Sequence, residues 1–328
     1  MFKLARFAAG VFFIAATLSP ATRAQDDEKV TVNTNLVTIN VSVTDSRGAY
    51  VQGLAGERFE VFVDGVRQRV AHFSAGDAPF SVGVVYDMHP TTRERATAVF
   101  GALKQFAAGL RRDDHFFLLV FNERGSADVE FVPTAEQIGE HLAYIPPKEP
   151  NSLYDAVYLA AEKLRSRPTM KKALLVISDG LDHGSLHSFT ELRRRVGEFD
   201  VQLYGVGINE QNTGTRVGSD RWVFEDLTRQ TGRRTVSDDD SLGLAALDEM
   251  ARASGGASYS PPTGGERELF DICARIALET RRQYTVGFYP TAAPGKSRWH
   301  NIRVRLTPRG DAGRLRLSYR EGYRPREN

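Results

Sequence analysis

Four short runs of almost unbroken apolar residues, at 81–86, 116–121, 173–178 and 201–206, constrain this chain more than any other feature. Each is the length of a strand rather than of a helix and is rich in Val, Ile, Leu and Phe. Between and after them lie segments with helical periodicity, at 92–110, 134–143, 152–165, 188–198, 243–254 and 266–281. Strands that are apolar on both faces need cover on both faces. The alternation therefore predicts a doubly wound, mainly parallel α/β sheet with helices on each side. An edge-like strand near 129–132 and a short strand at 257–260 complete the expected set.

The flanks have a different period. Residues 34–43 alternate apolar and polar and are β-branched, and a turn follows at Asp45-Ser46-Arg47-Gly48. Two further strands, at 59–63 and 66–73, flank Asp64-Gly65, a strong two-residue hairpin signal. After Arg282 the alternation returns at 283–289, 299–306 and 313–319. Neither flank can bury a face alone. The C-terminal strands are therefore expected to pair with the N-terminal ones, making a small antiparallel β-sandwich into which the α/β domain is inserted. The expected divisions are an N-terminal β unit at 25–78, the α/β domain at 79–281 and C-terminal strands at 282–328. The polar segment 209–242, rich in Gly, Ser, Thr and Asp, reads as an insertion. Tyr284, Phe288, Tyr289 and Trp299 are expected to fill the sandwich core.

The first 24 residues carry Lys3 and Arg6, an apolar run at 7–18, and Thr22-Arg23-Ala24. That three-part pattern predicts a secretory signal peptide, with an uncleaved anchor as the alternative. The apolar run is too short for a bilayer-spanning helix, so no stable span is expected after cleavage, and the protein is expected to be periplasmic or secreted. A net charge of +2, from 43 basic and 41 acidic residues, gives no field suited to nucleic acid. The basic runs at 193–195, 233–234 and 281–282 read as solvated faces. The one cysteine, Cys273, falls in a helical segment and reads as a buried structural thiol.

Several local motifs, in order, resemble the von Willebrand factor A (VWA) domain. These are Val82-Gly-Val-Val-Tyr-Asp87, Asn151-Ser-Leu-Tyr-Asp-Ala156, Leu174-Leu-Val-Ile-Ser-Asp-Gly180 with Asp182, and the strand at 201–207. Leu36-Val-Thr-Ile-Asn-Val-Ser-Val-Thr-Asp, Phe59-Glu-Val-Phe-Val-Asp-Gly, Gln283-Tyr-Thr-Val-Gly-Phe-Tyr-Pro290 and Glu321-Gly-Tyr-Arg-Pro325 look more narrowly like the exported VWFA-related proteins common in acidobacteria. The resemblance implies a Rossmann-like fold and a metal-ion-dependent adhesion site at the C-terminal edge of the sheet. It also implies a function in binding a protein or cell-surface ligand through an acidic side chain, rather than catalysis. Carried over residue by residue, Asp87 and Asp179 stand where the two carboxylates belong, and Thr91 keeps the second hydroxyl of the Asp-x-Ser-x-Ser pattern. His89 replaces the first Ser and Asn151 the Thr. The implied ion is Mg²⁺ or Mn²⁺. His89 would also suit Zn²⁺, while the Asn151 carbonyl suits a hard cation. Two states fit this degenerate set: an ion bound with altered preference, or a lost site whose Asp87 and Asp179 cap loops.

Other constellations weigh less. His183 and His187 are four apart beside Asp182, but Gly184 and Ser185 suggest a solvated loop. Tyr204-Gly-Val-Gly207 lacks the third glycine of a dinucleotide turn and reads as close packing at a strand end. Asp238-Asp239-Asp240 lacks calcium-loop spacing and reads as a polar loop, and Asp113-Asp114 as a turn before a strand. No Gly-x-Ser-x-Gly elbow occurs. Two rivals to the binding module remain. One is a metal-independent structural or assembly component of the envelope, acting through the sandwich or 209–242. The other is a metal-assisted hydrolase using Asp87, His89, Asp179 and His183.

Overall fold

The computed structural model describes residues 36–76, 78–88, 95–122, 125–129, 153–182, 184–208, 238–290, 299–307 and 315–324. The expected leader 1–24, His89, Thr91, Asn151, His183, the helix at 134–143, Arg233-Arg234 and most of 209–242 lie outside the described residues.

The chain begins with β1 (Val37–Thr44), β2 (Phe59–Val63), β3 (Val66–Gln68) and β4 (Val70–Ala75). Asp64 and Gly65, between β2 and β3, have φ of 47° and 84°. A tight hairpin needs positive φ at both central residues, which is why Asp-Gly is read correctly here. The chain then enters β5 (Phe80–Asp87), α1 (Ala96–Ala108), β6 (His115–Asn122) and β7 (Gly125–Val129). It continues through α2 (Leu153–Arg165), β8 (Lys171–Ser178), α3 (Phe189–Glu198) and β9 (Gln202–Gly207). The series closes with α4 (Asp238–Ser254), β10 (Ser258–Tyr259) and α5 (Glu266–Arg282). Last come β11 (Tyr284–Phe288), β12 (His300–Leu306), β13 (Arg316–Ser318) and β14 (Gly322–Tyr323).

The central strands form a six-stranded sheet in the order β10-β9-β8-β5-β6-β7. All its pairings are parallel except β6 with β7. Counted within the sheet, the order is 3-2-1-4-5-6, the doubly wound arrangement. One face packs Val82, Val84, Tyr86, Leu118 and Leu175 under α1 and α5. The other packs Val85, Phe117, Leu119 and Leu174 under α2, α3 and α4. Two departures concern boundaries. The edge strand lies at Gly125–Val129, earlier than 129–132, because its antiparallel register returns directly from β6. Helix α4 begins at Asp238 rather than at 243, so the three consecutive aspartates open a helix instead of forming a loop. Acidic residues are favoured in a first helical turn, which the calcium-loop comparison overlooked.

The flanking strands build two further sheets, β13-β1-β11-β4 and β14-β12-β2-β3. Ile39, Val41, Phe59, Val61, Tyr284, Phe288 and Val304 meet between them. The α/β domain is therefore inserted in an antiparallel sandwich of N- and C-terminal strands. Tyr284 and Phe288 fill this core as expected, whereas Tyr289 lies past the end of β11 and is 48% exposed. Trp299 precedes β12 and packs outside the core cluster, so close to Gly197 of α3 and Gly322 of β14 that a Cβ at either would meet its ring below 3 Å.

The seam between sandwich and α/β layers is polar and largely buried. Lys171, fully buried, donates to the carbonyls of Gly76 and Arg281 at 2.6 and 2.7 Å. Asp114 accepts from the Phe80 and Arg111 amides and pairs with Arg281, whose guanidinium also covers the Phe80 ring. Asp114 is thus more than a turn residue, and Arg281 is not part of a solvated face, because its partner is buried. Glu279 accepts from Ser42 Oγ and Tyr50 Oη, both at 2.9 Å. Cys273 is buried in the core under α5, and burial pushes its thiol up to about 12, consistent with a structural role.

Burial raises the Glu279 carboxyl above its usual 4.5. A raised folded-state pKa means that the native protein holds this proton more tightly than the unfolded chain does. The associated stability is full below about 4.5 and is lost as pH rises through the folded value. Glu279→Gln should flatten the fall of Tm as pH rises above the usual carboxylate value of 4.5, with a gain over wild type that grows as pH rises. Parallel melting curves for the two proteins would reject this account.

Candidate functional site

Asp87 ends β5 and Asp179 immediately follows β8, and these two strands are neighbours where the winding of the sheet reverses. The crevice beyond the carboxyl ends of strands at such a switch point is where open α/β sheets take their ligands. The pairing Tyr86↔Ile177 sets Asp87 level with Ser178. Ser178 Oγ donates to Asp87 Oδ2 at 2.7 Å, and the Gly180 amide donates back to Ser178 Oγ at 2.9 Å. Asp179 Oδ1 accepts from the Leu181 amide at 3.0 Å. Asp87 and Ser178 are fully buried and Asp179 is 3% exposed.

The turn after β8 admits no side chain at its second residue. Gly180 has φ of +83°, and a Cβ there would lie 2.0 Å from the Gly243 carbonyl oxygen on α4. The two glycines let the backbone of α4 press directly on the loop carrying Asp179. Further along the sheet, added Cβ atoms at Gly205 and Gly207 would meet Leu247 and Leu244 of the same helix. The Gly-Val-Gly motif of β9 serves that close packing.

The loop 181–188 is braced against the start of α2. Asp182 Oδ1 accepts from the Tyr154 amide at 3.1 Å and from Ser185 Oγ at 2.5 Å, and its Oδ2 accepts from the Ser185 amide. Ser185 Oγ in turn receives the Tyr154 and Asp155 amides. Asp155 accepts from the Leu186 and His187 amides, and His187 Nδ1 lies 2.5 Å from Asp155 Oδ1. The His187 ring stacks on Tyr158 at 4.3 Å. The loop is thus a braced one rather than a freely solvated one, although Leu186 at its tip is 93% exposed.

Of the five residues carried over from the sequence, Asp87 and Asp179 come together on neighbouring strand ends. His89, Thr91 and Asn151 lie outside the described residues, each within three positions of a described one. Sequence reading assigned no role to Ser178, Asp155 or Ser185 in this site. The Asp-x-x-Ser spacing at 182–185 is a legible local turn signal, since short polar side chains cap nearby amides. The Asp155 contacts span about thirty residues and carry no local signal. The donors in hand, two carboxylates and a hydroxyl, are all oxygen, which suits a hard divalent ion better than Zn²⁺. Among the described residues, no group of three or more His, Cys, Asp or Glu side chains gathers in a metal-binding arrangement. No described helix is long and apolar enough to cross a membrane.

No protein-family model and no curated protein matches the chain. Among solved structures, it is similar to an aerotolerance-related membrane protein from Bacteroides fragilis, with 16% identity over 61% of this chain and 98% of that one and a TM-score of 0.42. It is also similar to manganese-loaded TRAP from Plasmodium vivax, with 11% identity, coverage of 81% and 100%, and a TM-score of 0.40. The VWA domain of SpRpn10 aligns with 10% identity, coverage of 60% and 95%, and a TM-score of 0.37. Scores of this size carry no functional inference, and the doubly wound order rests on the strand pairings themselves.

Two changes probe the local geometry. Gly180→Ala places a Cβ both in a left-handed conformation and against a carbonyl, and should cost about 2 kcal/mol or more in urea denaturation. Asp155→Ala removes the acceptor of two loop amides and should speed hydrogen exchange at Leu186 and His187 by about tenfold or more. Unchanged exchange there would mean that the brace does not hold the loop.

Proposed function

We propose that the chain is an exported binding module of VWA type that recognises a protein or surface ligand at the switch point of its sheet, through a divalent ion held by a degenerate adhesion site. The observation that carries this reading is the placement of Asp87 and Asp179 at the carboxyl ends of the adjacent strands β5 and β8, joined by the Ser178–Asp87 hydrogen bond. Asp87 and Asp179 supply charge, and His89, Thr91 and Asn151 supply the remaining donors. Few protein carboxylates leave the cation under-satisfied, so an acidic side chain of the partner completes its shell. The braced loop 181–188 supports recognition, because a preorganised surface loses little entropy on docking.

The chain is read as a binder rather than a catalyst. Ser178 gives its proton to the Asp87 carboxylate and, among the described residues, to no histidine base, which favours a supporting serine over a nucleophile. Export follows from the leader pattern at 1–24.

Calorimetric titration of chelator-treated protein with Mg²⁺, Mn²⁺ and Zn²⁺ tests the reading, alongside Asp87→Ala. Saturable binding of Mg²⁺ or Mn²⁺ that disappears in the variant is expected. Absence of binding by the wild type would remove the ion from the account and leave the metal-independent envelope component as the better description.

A further inference from the structure

A second recognition surface belongs to the sandwich alone. In their respective sheets β3 and β4 are both outermost strands, and they are consecutive in the chain, separated by Arg69 only. One continuous stretch, 66–75, therefore crosses from one sheet to the other and, among the described residues, forms the unpaired side of both. Alternate residues of an antiparallel edge strand turn their N–H and C=O groups outward, so β4 presents backbone donors and acceptors along its length. A groove of about 690 Å³ runs beside this stretch, with Phe59 and Phe73 in its lining. Their rings meet at 5.4 Å.

The groove has a charge preference. Arg67, Arg69 and His72 contribute to its walls, against one acid, Glu57. Arg67 is 68% exposed and touches Glu60 at 2.9 Å, leaving most of its guanidinium edge to solvent. His72 Nε2 is out of water and has no hydrogen-bond partner among the described residues. On the adjoining sheet face the register sets Phe62 between Arg303 and Arg67, with Arg305 opposite Glu60. The Arg305 guanidinium stands 5.3 Å from the Phe62 ring centre, and Arg303 and Arg305 are exposed. Positive charge thus extends from that face around the β3 edge to the groove.

We propose that this edge groove binds an extended acidic polypeptide segment, which adds to β4 as a further strand while its carboxylates pair with Arg67 and Arg69. Strand addition uses main-chain hydrogen bonds for affinity and alternate side chains for selection. Guanidinium groups match carboxylates through two parallel hydrogen bonds. A second copy of this chain is the wrong occupant, because its β4, Val70–Ala75, carries no carboxylate to set against Arg67 and Arg69. The register shift at Gly287/Phe288, which leaves Ala71 extra on β4, also twists the edge away from simple self-pairing. The proposal is independent of the ion site, since none of these residues lies in the α/β sheet.

The test is fluorescence anisotropy of a labelled hexapeptide of alternating Asp and Val with the purified chain, beside the matching Lys and Val peptide. Saturable binding of the acidic peptide is expected, weakening as salt rises and falling about tenfold or more in the Arg67→Glu/Arg69→Glu double variant. Both side chains are exposed, and Arg69→Ala, with an unchanged melting temperature, guards against misreading an unfolded protein. Absence of saturable binding, equal binding of the lysine peptide, or full affinity in the folded variants would each overturn the proposal. A concentration-dependent dimer abolished by the double variant would overturn it in favour of a second copy.

Discussion

Ala75 and Tyr284 are paired on neighbouring strands, although the whole α/β sheet lies between them in sequence. That single adjacency governs the rest of the molecule. The sandwich closes only if β11 returns beside β4, so both ends of the inserted domain must leave from almost the same place. The crossing points are then crowded with backbone groups that have no sheet partner. Lys171 meets this demand by donating to Gly76 at the exit and Arg281 at the return. A buried ammonium is costly unless well satisfied, and two carbonyls with a fixed spacing supply that satisfaction. The Asp114–Arg281 pair seals the same corner from the α/β side.

The anchoring of one end of the sheet defines the other. Parallel strands all carry their carboxyl ends in the same direction, and the doubly wound order opens a crevice between the loops after β5 and β8. Nothing in that topology holds the loops still. Stiffness comes from local chemistry: the Gly180–Gly243 contact on one side, and the Asp155 and Asp182 hydrogen bonds on the other. The start of α2 is thereby tied to the loop that follows Asp179. Two chain segments about thirty residues apart are thus tied together at the strand ends.

The apolar strands and their helices were legible because burial on both faces leaves runs of residues that no other element uses. The hairpin at Asp64-Gly65 was legible because its turn chemistry is local. Sandwich pairing of the two flanks could be argued only from the need to bury their faces, and that need was strong enough. The misreadings of charged residues at the seam and the loop share a cause. Arg281 and Asp114 looked like surface residues because the partner that buries each is distant in the chain. Asp155 was invisible as a brace for the same reason, while the Asp182–Ser185 turn was there to be read. Of the site itself, Asp87 and Asp179 were accessible through the strand ends they occupy. The hydrogen bond from Ser178 needed the register between β5 and β8, which sequence does not specify.

The electrostatics of those strand ends bear on what can sit there. A carboxylate taken fully out of water costs several kcal/mol. A hydrogen bond to a charged group returns about 1.5–3 kcal/mol, so the Ser178 hydroxyl is one of the contacts that offset the burial of Asp87. Asp179 follows on the adjacent strand and is itself almost buried. Two like charges on neighbouring strand ends repel more strongly as water is excluded. On the reading proposed above, a divalent cation would neutralise both carboxylates, and its open coordination position rather than a net positive charge would take a partner's carboxylate. The proposed recognition of an acidic ligand therefore depends on the ion, since two bare carboxylates at these strand ends would repel a third.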